Sequence, residues 1–446
     1  MSEESTLDEF AKTTVSQERQ ETPVGEIPAD WGMERLKDVV EINPDGFSKD
    51  DWASETFEYI SLSEASEGEI EGSTTTPIRD APSRAQRKVQ QGDVLVGTVR
   101  PKQRSHGFIS EEHAEKICSS GFGVLRTESR LNSRYLLQEI LSNRFFSQME
   151  AYVAGSGYPA VKISDLKKHR VAIPPIVEQR KIATVLYTLD RAIGKTEKII
   201  DQLDKLLRGL MDDIFESGTA STDRFQETPV GRFPDSWRIV QIQDILTEKP
   251  SYGIVKPGDG DENGVRMIRA TDIEQGRLVE EEPIRVSESK SQEYERTKIY
   301  EKNILLSVMG TVGRSMCAPK DLEGANVNRA LAVLRMDESQ VIPKFADLWF
   351  RSPHIQSYFE TQKFGTAQPR LNLGFLRKMK FPVPPKEEQK EIVAILETAE
   401  RRYWSERETK KQFERLKHGL QQDLLSGKVR TTDTNIEVPD EIAQHG

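Results

Sequence analysis

The chain contains one short stretch twice, as IPPIVEQ at residues 173–179 and as VPPKEEQ at residues 383–389. A second stretch also returns, as ETPVG at residues 21–25 and at residues 227–231, each followed by a Pro and a Trp. The copies are separated by 210 and 206 residues, whereas solenoid repeats have periods of about 20–50 residues. The pattern therefore predicts a duplicated domain together with its connector.

Each IPPIVEQ-like stretch precedes a long run of apolar residues at heptad spacing. The first run extends from Ile182 to Ile214 in steps of four and three, and the second extends from Ile392 to Leu424. The second run also places three charged residues on its seam: Glu406, Lys410 and Lys417. A seam of period 3.5 over roughly 35 residues, or about 50 Å of helix, favours a coiled coil over an ordinary core helix. We expect the two helices to be partners, and an antiparallel pair would relate the two halves by a pseudo-twofold.

The segments before the helices mix strand patterns with helical ones. GDVLV at residues 92–96 matches KNILL at 302–306, and GVLR at 123–126 matches AVLR at 332–335. We therefore predict a fold with two α/β (α+β) domains in duplicate, separated by two long helices that form an antiparallel coiled coil. The predicted order along the chain is a disordered acidic tail (1–20), a first domain (21–172), a first helix (173–218), a linker (219–226), a second domain (227–382), a second helix (383–428) and an acidic tail (429–446).

The net charge of −10 is concentrated at the two ends of the chain. Residues 1–30 carry eight acids and two bases, and residues 431–446 carry four acids without Lys or Arg. Both ends lack apolar periodicity, so we predict that both are disordered. Two distant cysteines without metal spacing, and the lack of any run of about 18 apolar residues, favour a reducing, cytoplasmic setting away from membranes.

Several motifs of catalytic or cofactor-binding sites fail on inspection. Gly194-Lys195 lacks the upstream glycine of a phosphate-binding loop, because Leu189 occupies that position inside the heptad run. The Pro-Pro steps lack the neighbouring residues of adenine methyltransferase motifs. The histidines lack metal-ligand spacing, and no nuclease-like acidic cluster stands out. These exclusions predict a binding protein with no catalytic residues, no metal site and no cofactor of its own.

Basic and amide residues cluster late in each half. Residues 84–104 hold six bases against one acid, and residues 363–380 hold five bases against none. A single such run is often only a solvated surface, but its recurrence in both halves favours nucleic acid. Arg contacts guanine bidentately, Asn and Gln contact adenine, and Lys holds phosphate. The candidate DNA contacts are Arg84, Arg87, Lys88, Arg100, Lys102, Gln103, Arg104, Ser156, Tyr158 and Lys162, followed by Arg269, Arg314, Ser315, Asn326, Asn328, Arg329, Lys363, Gln368, Arg370 and Asn372.

The twofold Pro-Pro-x-x-Glu-Gln step, each time after a mixed domain and before a long helix, resembles the specificity subunit of Type I restriction–modification enzymes. The resemblance covers about residues 21–428. It implies two target-recognition domains, each of which reads half of a bipartite, asymmetric sequence in double-stranded DNA. It also implies that the helices are conserved spacers between these domains and dock the methyltransferase subunits.

The resemblance further implies partners that carry the chemistry. These are two methyltransferase subunits using S-adenosylmethionine and two restriction subunits using ATP and Mg²⁺, whereas this chain is non-catalytic. Two alternatives stay open from the residues themselves. One is a specificity subunit that serves a methyltransferase alone, as an orphan without restriction; the other is a coiled-coil adaptor without a DNA role. The missing acidic cluster argues against a nuclease.

Overall fold

A computed structural model describes residues 18–49, 52–153, 159–219, 223–258, 260–279, 284–362 and 370–444. The chain forms two compact units. Unit 1 comprises Met1–Thr196 and Thr409–Gly446, and unit 2 comprises Glu197–Glu408. Within the described ranges, no helix is long and apolar enough to cross a membrane. Ser156, Tyr158, Lys363 and Gln368, together with the first 17 residues of the acidic N-terminal tail, lie outside the described residues.

Unit 1 is built mainly from short strands. Its strands are β1 (Arg19–Thr22), β2 (Gly25–Pro28), β3 (Gly32–Arg35), β4 (Val40–Ile42), β5 (Thr56–Ile60), β6 (Ala65–Ser66), β7 (Glu69–Ile70), β8 (Thr74–Pro77), β9 (Ala85–Lys88), β10 (Val94–Gly97), β11 (His106–Phe108), β12 (Ile117–Ser119), β13 (Phe122–Thr127) and β14 (Arg170–Ile173). The order β11-β10-β13-β4 forms one four-stranded sheet, and β8-β5-β12-β9 forms a second. All pairs are antiparallel except β5 with β12.

Unit 2 repeats this plan. Its strands are β15 (Phe225–Thr228), β16 (Gly231–Pro234), β17 (Arg238–Gln241), β18 (Ser251–Tyr252), β19 (Val265–Ile268), β20 (Ile273–Glu274), β21 (Arg277–Leu278), β22 (Ile284–Val286), β23 (Ile304–Ser307), β24 (Ser315–Cys317), β25 (Asn326–Val327), β26 (Leu331–Leu334) and β27 (Lys380–Val383). One sheet has the order β18-β26-β23-β24 and the other β22-β19-β25, again with one parallel pair, β19 with β25. The predicted duplication of a mixed domain is confirmed.

The α-helices follow the same repeat. They are α1 (Ser133–Leu141), α2 (Asn143–Ala151), α3 (Ile163–Leu166), α4 (Ile176–Ser217), α5 (Glu288–Glu293), α6 (Pro343–Arg351), α7 (Pro353–Thr361), α8 (Leu373–Lys378), α9 (Lys386–Leu425) and α10 (Asp440–Ala443). The long helices α4 and α9 have 42 and 40 residues, about 63 and 60 Å at 1.5 Å per residue. Both helices are longer than the heptad run of roughly 35 residues, because each begins directly after Pro-Pro, upstream of the first apolar residue of that run.

Glycine ends both long helices. Gly218 after α4 has φ +72° and Gly427 after α9 has φ +65°, the left-handed conformation that caps helix C-termini. In unit 1 the start of α4 lies beside the end of α9, where Lys417 forms an ion pair with Asp190. In unit 2 the end of α4 lies beside the start of α9, where the Thr219 N–H donates to Glu388 at 3.1 Å. The predicted antiparallel pairing is therefore confirmed inside each unit.

A Trp–Glu hydrogen bond joins the two repeated sequence motifs in each unit. The indole N–H of Trp31 donates to Glu178 at 3.1 Å, and that of Trp237 donates to Glu388 at 3.0 Å. The Pro-Trp turn is thereby fixed to the first turn of the long helix. This contact gives a physical reason for the pairing of the two motifs along the chain.

The glutamine that follows this glutamate makes three hydrogen bonds in both units. Gln179 donates to the carbonyls of Pro174 and Arg130 and accepts from the Asn132 N–H, at 2.8–3.0 Å. Gln389 donates to the carbonyls of Pro384 and Gln340 and accepts from the Ile342 N–H, at 2.8–3.0 Å. Both side chains are fully buried, so each satisfies backbone groups that the Pro-Pro step would otherwise leave unpaired.

The acidic C-terminal tail is ordered, which corrects the prediction of disorder. Arg430 binds Glu178 and Asp30, and Lys181 donates to three tail carbonyls, those of Thr431, Thr432 and Thr434. Ile442 in α10 is fully buried in the apolar core of unit 1. Val438 packs against the same core, but the few apolar residues of the tail follow no helical or strand period, so their pattern could not reveal this packing.

Replacement of Glu178 by Gln should destabilise the protein more than the matched Glu388→Gln. Glu178 is buried and accepts charge-assisted bonds from Arg430 at 2.7 and 2.8 Å, whereas Glu388 accepts only from neutral N–H groups. We expect losses of about 2–3 and about 1 kcal/mol in the free energy of unfolding, measured in urea. Equal losses would contradict the importance of the Arg430 ion pair.

Truncation of Ile442 to Ala should destabilise unit 1 by about 2–4 kcal/mol, because a buried side chain leaves a cavity. Asp433→Asn is the matched control in the same tail, since Asp433 is exposed. Hydrogen exchange resolved by unit would measure both effects. Unchanged protection of unit 1 in the Ile442→Ala variant would show that the tail is dispensable.

Candidate nucleic-acid interface

Three segments of unit 1 meet where strand β10 ends. The Thr98 N–H donates to the Gly121 carbonyl, and the Val161 N–H donates to the Thr98 carbonyl, both at 2.8 Å. The Arg100 N–H donates to the Pro159 carbonyl, also at 2.8 Å. We call the surface of residues 98–104, 119–121 and 159–162 edge 1. The basic turn predicted from the sequence and the segment that begins at Pro159 thus lie side by side.

The turn of edge 1 has an unusual backbone. Pro101–Gln103 form one 3-10 turn between Arg100 and Arg104, and both arginines have φ +48°. A left-handed backbone at a non-glycine residue costs about 1–2 kcal/mol. The Arg104 guanidinium donates to Asn143 at 2.7 Å and lies 4.7 Å from the Phe146 ring centroid. Arg104 is therefore anchored to α2, while Lys102 and Gln103 point to solvent.

A cavity of about 780 Å³ adjoins this turn. Its polar lining combines two guanidinium groups and an amide with one carboxylate and several hydroxyl groups: Arg84, Arg100, Gln103, Glu71, Tyr59, Ser61, Ser63, Ser66, Ser105 and Ser119. Arginine and amide side chains read base edges, while hydroxyl groups contact phosphate or bases. The cavity therefore has the donors and acceptors that a nucleic-acid surface requires.

Two of the basic residues predicted in unit 1 lie on strand β9. Burial lowers the pKa of the half-buried Arg87, whose backbone pairs with Cys118 in the sheet. Lys88 forms an ion pair with Glu115. Strand β9 belongs to the second sheet, whereas the turn follows β10 of the first, so the basic run of residues 84–104 is not one continuous patch. Lys162 is exposed at the start of α3 and stays a candidate.

Unit 2 has an equivalent surface. The Val308 N–H donates to the Ala330 carbonyl and the Leu371 N–H donates to the Val308 carbonyl, both at 2.8 Å. Ile254 is hydrogen-bonded to both neighbours of Asn328. The Ile254 N–H donates to the Val327 carbonyl at 2.8 Å, and the Arg329 N–H donates to the Ile254 carbonyl at 2.9 Å. We call the surface of residues 254–256, 308–313, 328–330 and 370–372 edge 2. Arg329, Arg370 and Asn372 are exposed there, and Asn372 also caps α8.

Two candidate contacts in unit 2 are wrong. Ser315 is buried, and its hydroxyl donates to Asp347 at 2.8 Å. Asn326 is fully buried in strand β25, with its side-chain N–H₂ 3.5 Å from the Tyr294 carbonyl. Both polar residues serve the interior, and neither can reach DNA. Their side chains lie on the inner face of short strands that the sequence pattern does not orient.

Three further candidates in unit 2 hold their own backbone or a neighbour. Arg314 donates to the Ile273 carbonyl at 3.1 Å and lies near the carbonyls of Ala270 and Thr271. Arg269 pairs with Asp272 at 2.7 Å. Asn328 accepts from the Ala330 N–H at 3.1 Å. Arg314 uses one guanidinium nitrogen for these carbonyls, and all three residues stay partly exposed candidates.

The two cysteine thiols and the His106 ring are shielded from solvent. Burial raises the pKa of the Cys118 and Cys317 thiols to about 12. Burial also lowers the pKa of His106 to about 4, and its ring nitrogen accepts from the Gly97 N–H at 3.2 Å. In the part of the chain that the structure describes, no group of three acidic, His or Cys side chains is arranged to hold a metal.

Sequence analysis missed several residues at the edges. In unit 1 these are the hydroxyl residues of the cavity, which follow β5 as the sequence SLS at residues 61–63. In unit 2 they are Tyr252, Val255 and Lys256, all exposed. A run of serines directly after a predicted strand was a usable signal. The exposure of Tyr252 and Val255 had none, because apolar residues near a strand are ordinarily assigned to the core.

Comparison with known proteins agrees with this geometry. Residues 28–205 and 234–415 each match the family described as the Type I restriction modification DNA specificity domain. The chain belongs to this family. The two matched stretches contain edge 1 and edge 2, respectively. The family relation is therefore shown for both halves of the repeat.

Individual relatives are distant in sequence. The chain is 24% identical over 427 residues to the protein named as the MjaX type I restriction enzyme specificity subunit of Methanocaldococcus jannaschii, covering 92% of this chain and 96% of that one. Among solved structures, the S subunit of the Type-I restriction-modification system from M. genitalium is 13% identical with a TM-score of 0.56, covering 88% and 96%. A chain from a structural study of complex assembly of the type I R-M system is 20% identical with a TM-score of 0.55, covering 90% and 99%. These structures support the fold.

Replacement of Arg314 by Ala should lower the free energy of unfolding of unit 2 by about 1–3 kcal/mol, because three carbonyls lose a charged donor. The exposed Arg329→Ala should change it by less than about 0.5 kcal/mol. Thermal unfolding of both variants would measure the difference. If Arg329→Ala were the more destabilised variant, the structural role of Arg314 would be refuted.

Proposed function

We propose that this chain is the DNA sequence-specificity subunit of a Type I restriction–modification complex, and that each unit reads one half of a bipartite, asymmetric target. The observation that carries this proposal is the equivalence of edge 1 and edge 2. Both occupy the end of the equivalent hairpin of a repeated domain, β10–β11 in unit 1 and β23–β24 in unit 2, yet they carry different side chains. Equivalent positions with different chemistry would read two different half-sequences.

Edge 1 supplies the chemistry for one half-site. Arg84, Arg100 and Gln103 line its cavity, and Lys102 extends from the same turn with its side chain 83% exposed. In this proposal, arginine and glutamine contact base edges in the major groove while Lys102 contacts phosphate. Lys102 lies 3.8 Å from Glu150. Because this ion pair is exposed, little free energy is lost when Lys102 leaves it for a phosphate contact.

The long helices would space the units and dock two methyltransferase subunits. Ile199 and Leu206 on α4 are 38% and 60% exposed, and their spacing of seven residues sets them on one face of the helix. Exposed apolar side chains on a solvent-facing helix mark a protein-binding surface, because a partner helix would remove them from water. Two restriction subunits would join the same complex. The solved relative comes from a study of complex assembly of the type I R-M system, which is consistent with a role for this chain in a larger complex.

In the proposed complex this chain recognises DNA and does not catalyse. S-adenosylmethionine would bind the methyltransferase subunits, and ATP with Mg²⁺ would bind the restriction subunits. The family description, which names DNA specificity, supports this division. Loss of methylation in an assembled complex would therefore reflect a failure of recognition or docking by this chain.

The direct test is methylome sequencing of a methylation-free host that expresses this chain with its cognate methyltransferase. A single bipartite, asymmetric motif with methylated adenines is the expected result. A soluble complex that leaves the genome unmethylated would overturn the proposed function. The same host without this chain is the control, because methylation that persists there would belong to the methyltransferase alone.

The triple variant Arg100→Ala, Lys102→Ala and Arg104→Ala should relax or weaken recognition of one half-site only. The three residues share a single turn in unit 1, so unit 2 keeps its contacts. We expect one half of the methylated motif to become degenerate, and binding to the intact target to fall at least tenfold. Arg130→Ala is the control, an exposed cation beside the start of α4. Equal degeneracy in both halves of the motif would contradict the assignment.

A further inference from the structure

We infer that unit 2 reads its half-site through the segment Tyr252–Lys256 together with Arg329, and not through the turn that follows β23. This inference rests on the proposed function, since it names the residues by which unit 2 would read DNA. It assigns different recognition elements to the two repeats of one fold. Four observations on edge 2 carry it.

The turn after β23 presents few side chains that could read a base. Gly310 and Gly313 occupy its left-handed positions, with φ +72° and +95°, where unit 1 has Arg100 and Arg104. Val312 is buried, and the neighbouring Arg314 is held by backbone carbonyls. Thr311 is the exposed polar side chain that the turn retains. The turn that carries the cations in unit 1 therefore has almost no side chain in unit 2 that could contact a base.

The segment after β18 has the opposite character. Tyr252 is 37% exposed and Val255 is 50% exposed, and Lys256 beside them is exposed as well. Large apolar side chains at the edge of a sheet are ordinarily turned into the core. Exposed apolar groups rimmed by cations mark an interaction surface, and the cations favour a polyanion as its occupant. Among polyanions, duplex DNA is what this fold family addresses.

This segment is held rigidly against the sheet. Strand β18 pairs with β26, and Ile254 is bonded to Val327 and Arg329 on either side. A Cβ at Gly253 would lie 2.0 Å from the Val327 carbonyl oxygen, so only glycine permits this close approach. A rigid backbone presents side chains at low entropic cost on binding. The bonding to Ile254 also brings the exposed Arg329 next to Val255.

The chemistry of the cluster matches a major-groove surface. Valine methyl groups contact the methyl group of thymine, and arginine takes guanine bidentately. Lys256 would contact phosphate, and the tyrosine ring would pack on the sugar–phosphate backbone. Arg329 and Val255 would therefore carry sequence information, whereas Lys256 and Tyr252 would set affinity and orientation.

The test compares the methylomes produced by the full complex with single and double variants of this chain. Val255→Ser and Arg329→Ala should make positions within the second half-site degenerate and leave the first half-site unchanged. The double variant Tyr252→Ala with Lys256→Ala should lower affinity for the target duplex at least tenfold. On a duplex with a scrambled second half-site, this double variant should still bind more weakly than the wild type, because contacts to phosphate and sugar do not depend on sequence.

Two control variants separate this inference from alternatives. Thr311→Ala changes the turn, and Lys320→Ala removes an exposed cation at the opposite end of the β23–β24 hairpin. Both should leave the motif unchanged. Degeneracy in Thr311→Ala combined with an intact motif in Val255→Ser and Arg329→Ala would overturn the inference.

Two further outcomes would also overturn it, and they are distinguishable. If the double variant kept DNA affinity but no longer co-purified with the methyltransferase, the segment would be a protein-docking surface. If the wild-type complex produced no bipartite motif, the proposed function itself would fail. Matched thermal midpoints of all variants would show that lost binding does not arise from unfolding, as expected for exposed residues.

Discussion

The hydrogen bond between a tryptophan indole and the first glutamate of each long helix determines where that helix starts on its domain. Glu178 and Glu388 accept from Trp31 and Trp237, and the next residue of each helix, a buried glutamine, satisfies the backbone around the Pro-Pro step. Without the glutamine, the carbonyl of the first proline in each step would lose this donor in the core, at a cost of about 1–3 kcal/mol. Both units use the same contacts. The same Trp–Glu bond and buried glutamine therefore set the direction of the long helix relative to its own domain in unit 1 and again in unit 2.

The two units differ in the further contacts that hold a long helix. In unit 1, the chain after α9 continues as a tail that binds Glu178 through Arg430 and buries Ile442. In unit 2, a buried network of two acids and two bases joins α6 to α9: Asp347 and Glu400 bind both Lys344 and Arg351 at 2.5–3.1 Å. The positive charges of Arg351 and Lys344 lower the pKa of Asp347. The stability that this network contributes is therefore present above the ordinary aspartate pKa of 3.8 and is lost as the pH falls through the lowered value.

The sequence predicted the repeat, the mixed domains and the long helices, because these depend on periodicity and on proline and glycine, which act locally. It did not predict which polar residues face outward. Ser315 and Asn326 are buried, and Arg314 turns towards carbonyls, because tertiary packing decides the face of a short strand. The order of the C-terminal tail was also beyond sequence reasoning. It depends on contacts between Lys181 or Glu178 and residues some 250 positions away.

Comparison of the two turns after the central hairpin strands indicates which differences serve function. The same left-handed backbone positions hold Arg100 and Arg104 in unit 1 but Gly310 and Gly313 in unit 2. Glycine meets this backbone requirement without strain, whereas each arginine costs about 1–2 kcal/mol. Such a cost is understandable where the side chain is used, and the cavity beside Arg100 supplies that use. In unit 2, where glycine relieves the strain, recognition passes to a neighbouring segment that the same sheet holds rigid, so one scaffold supports two different readouts.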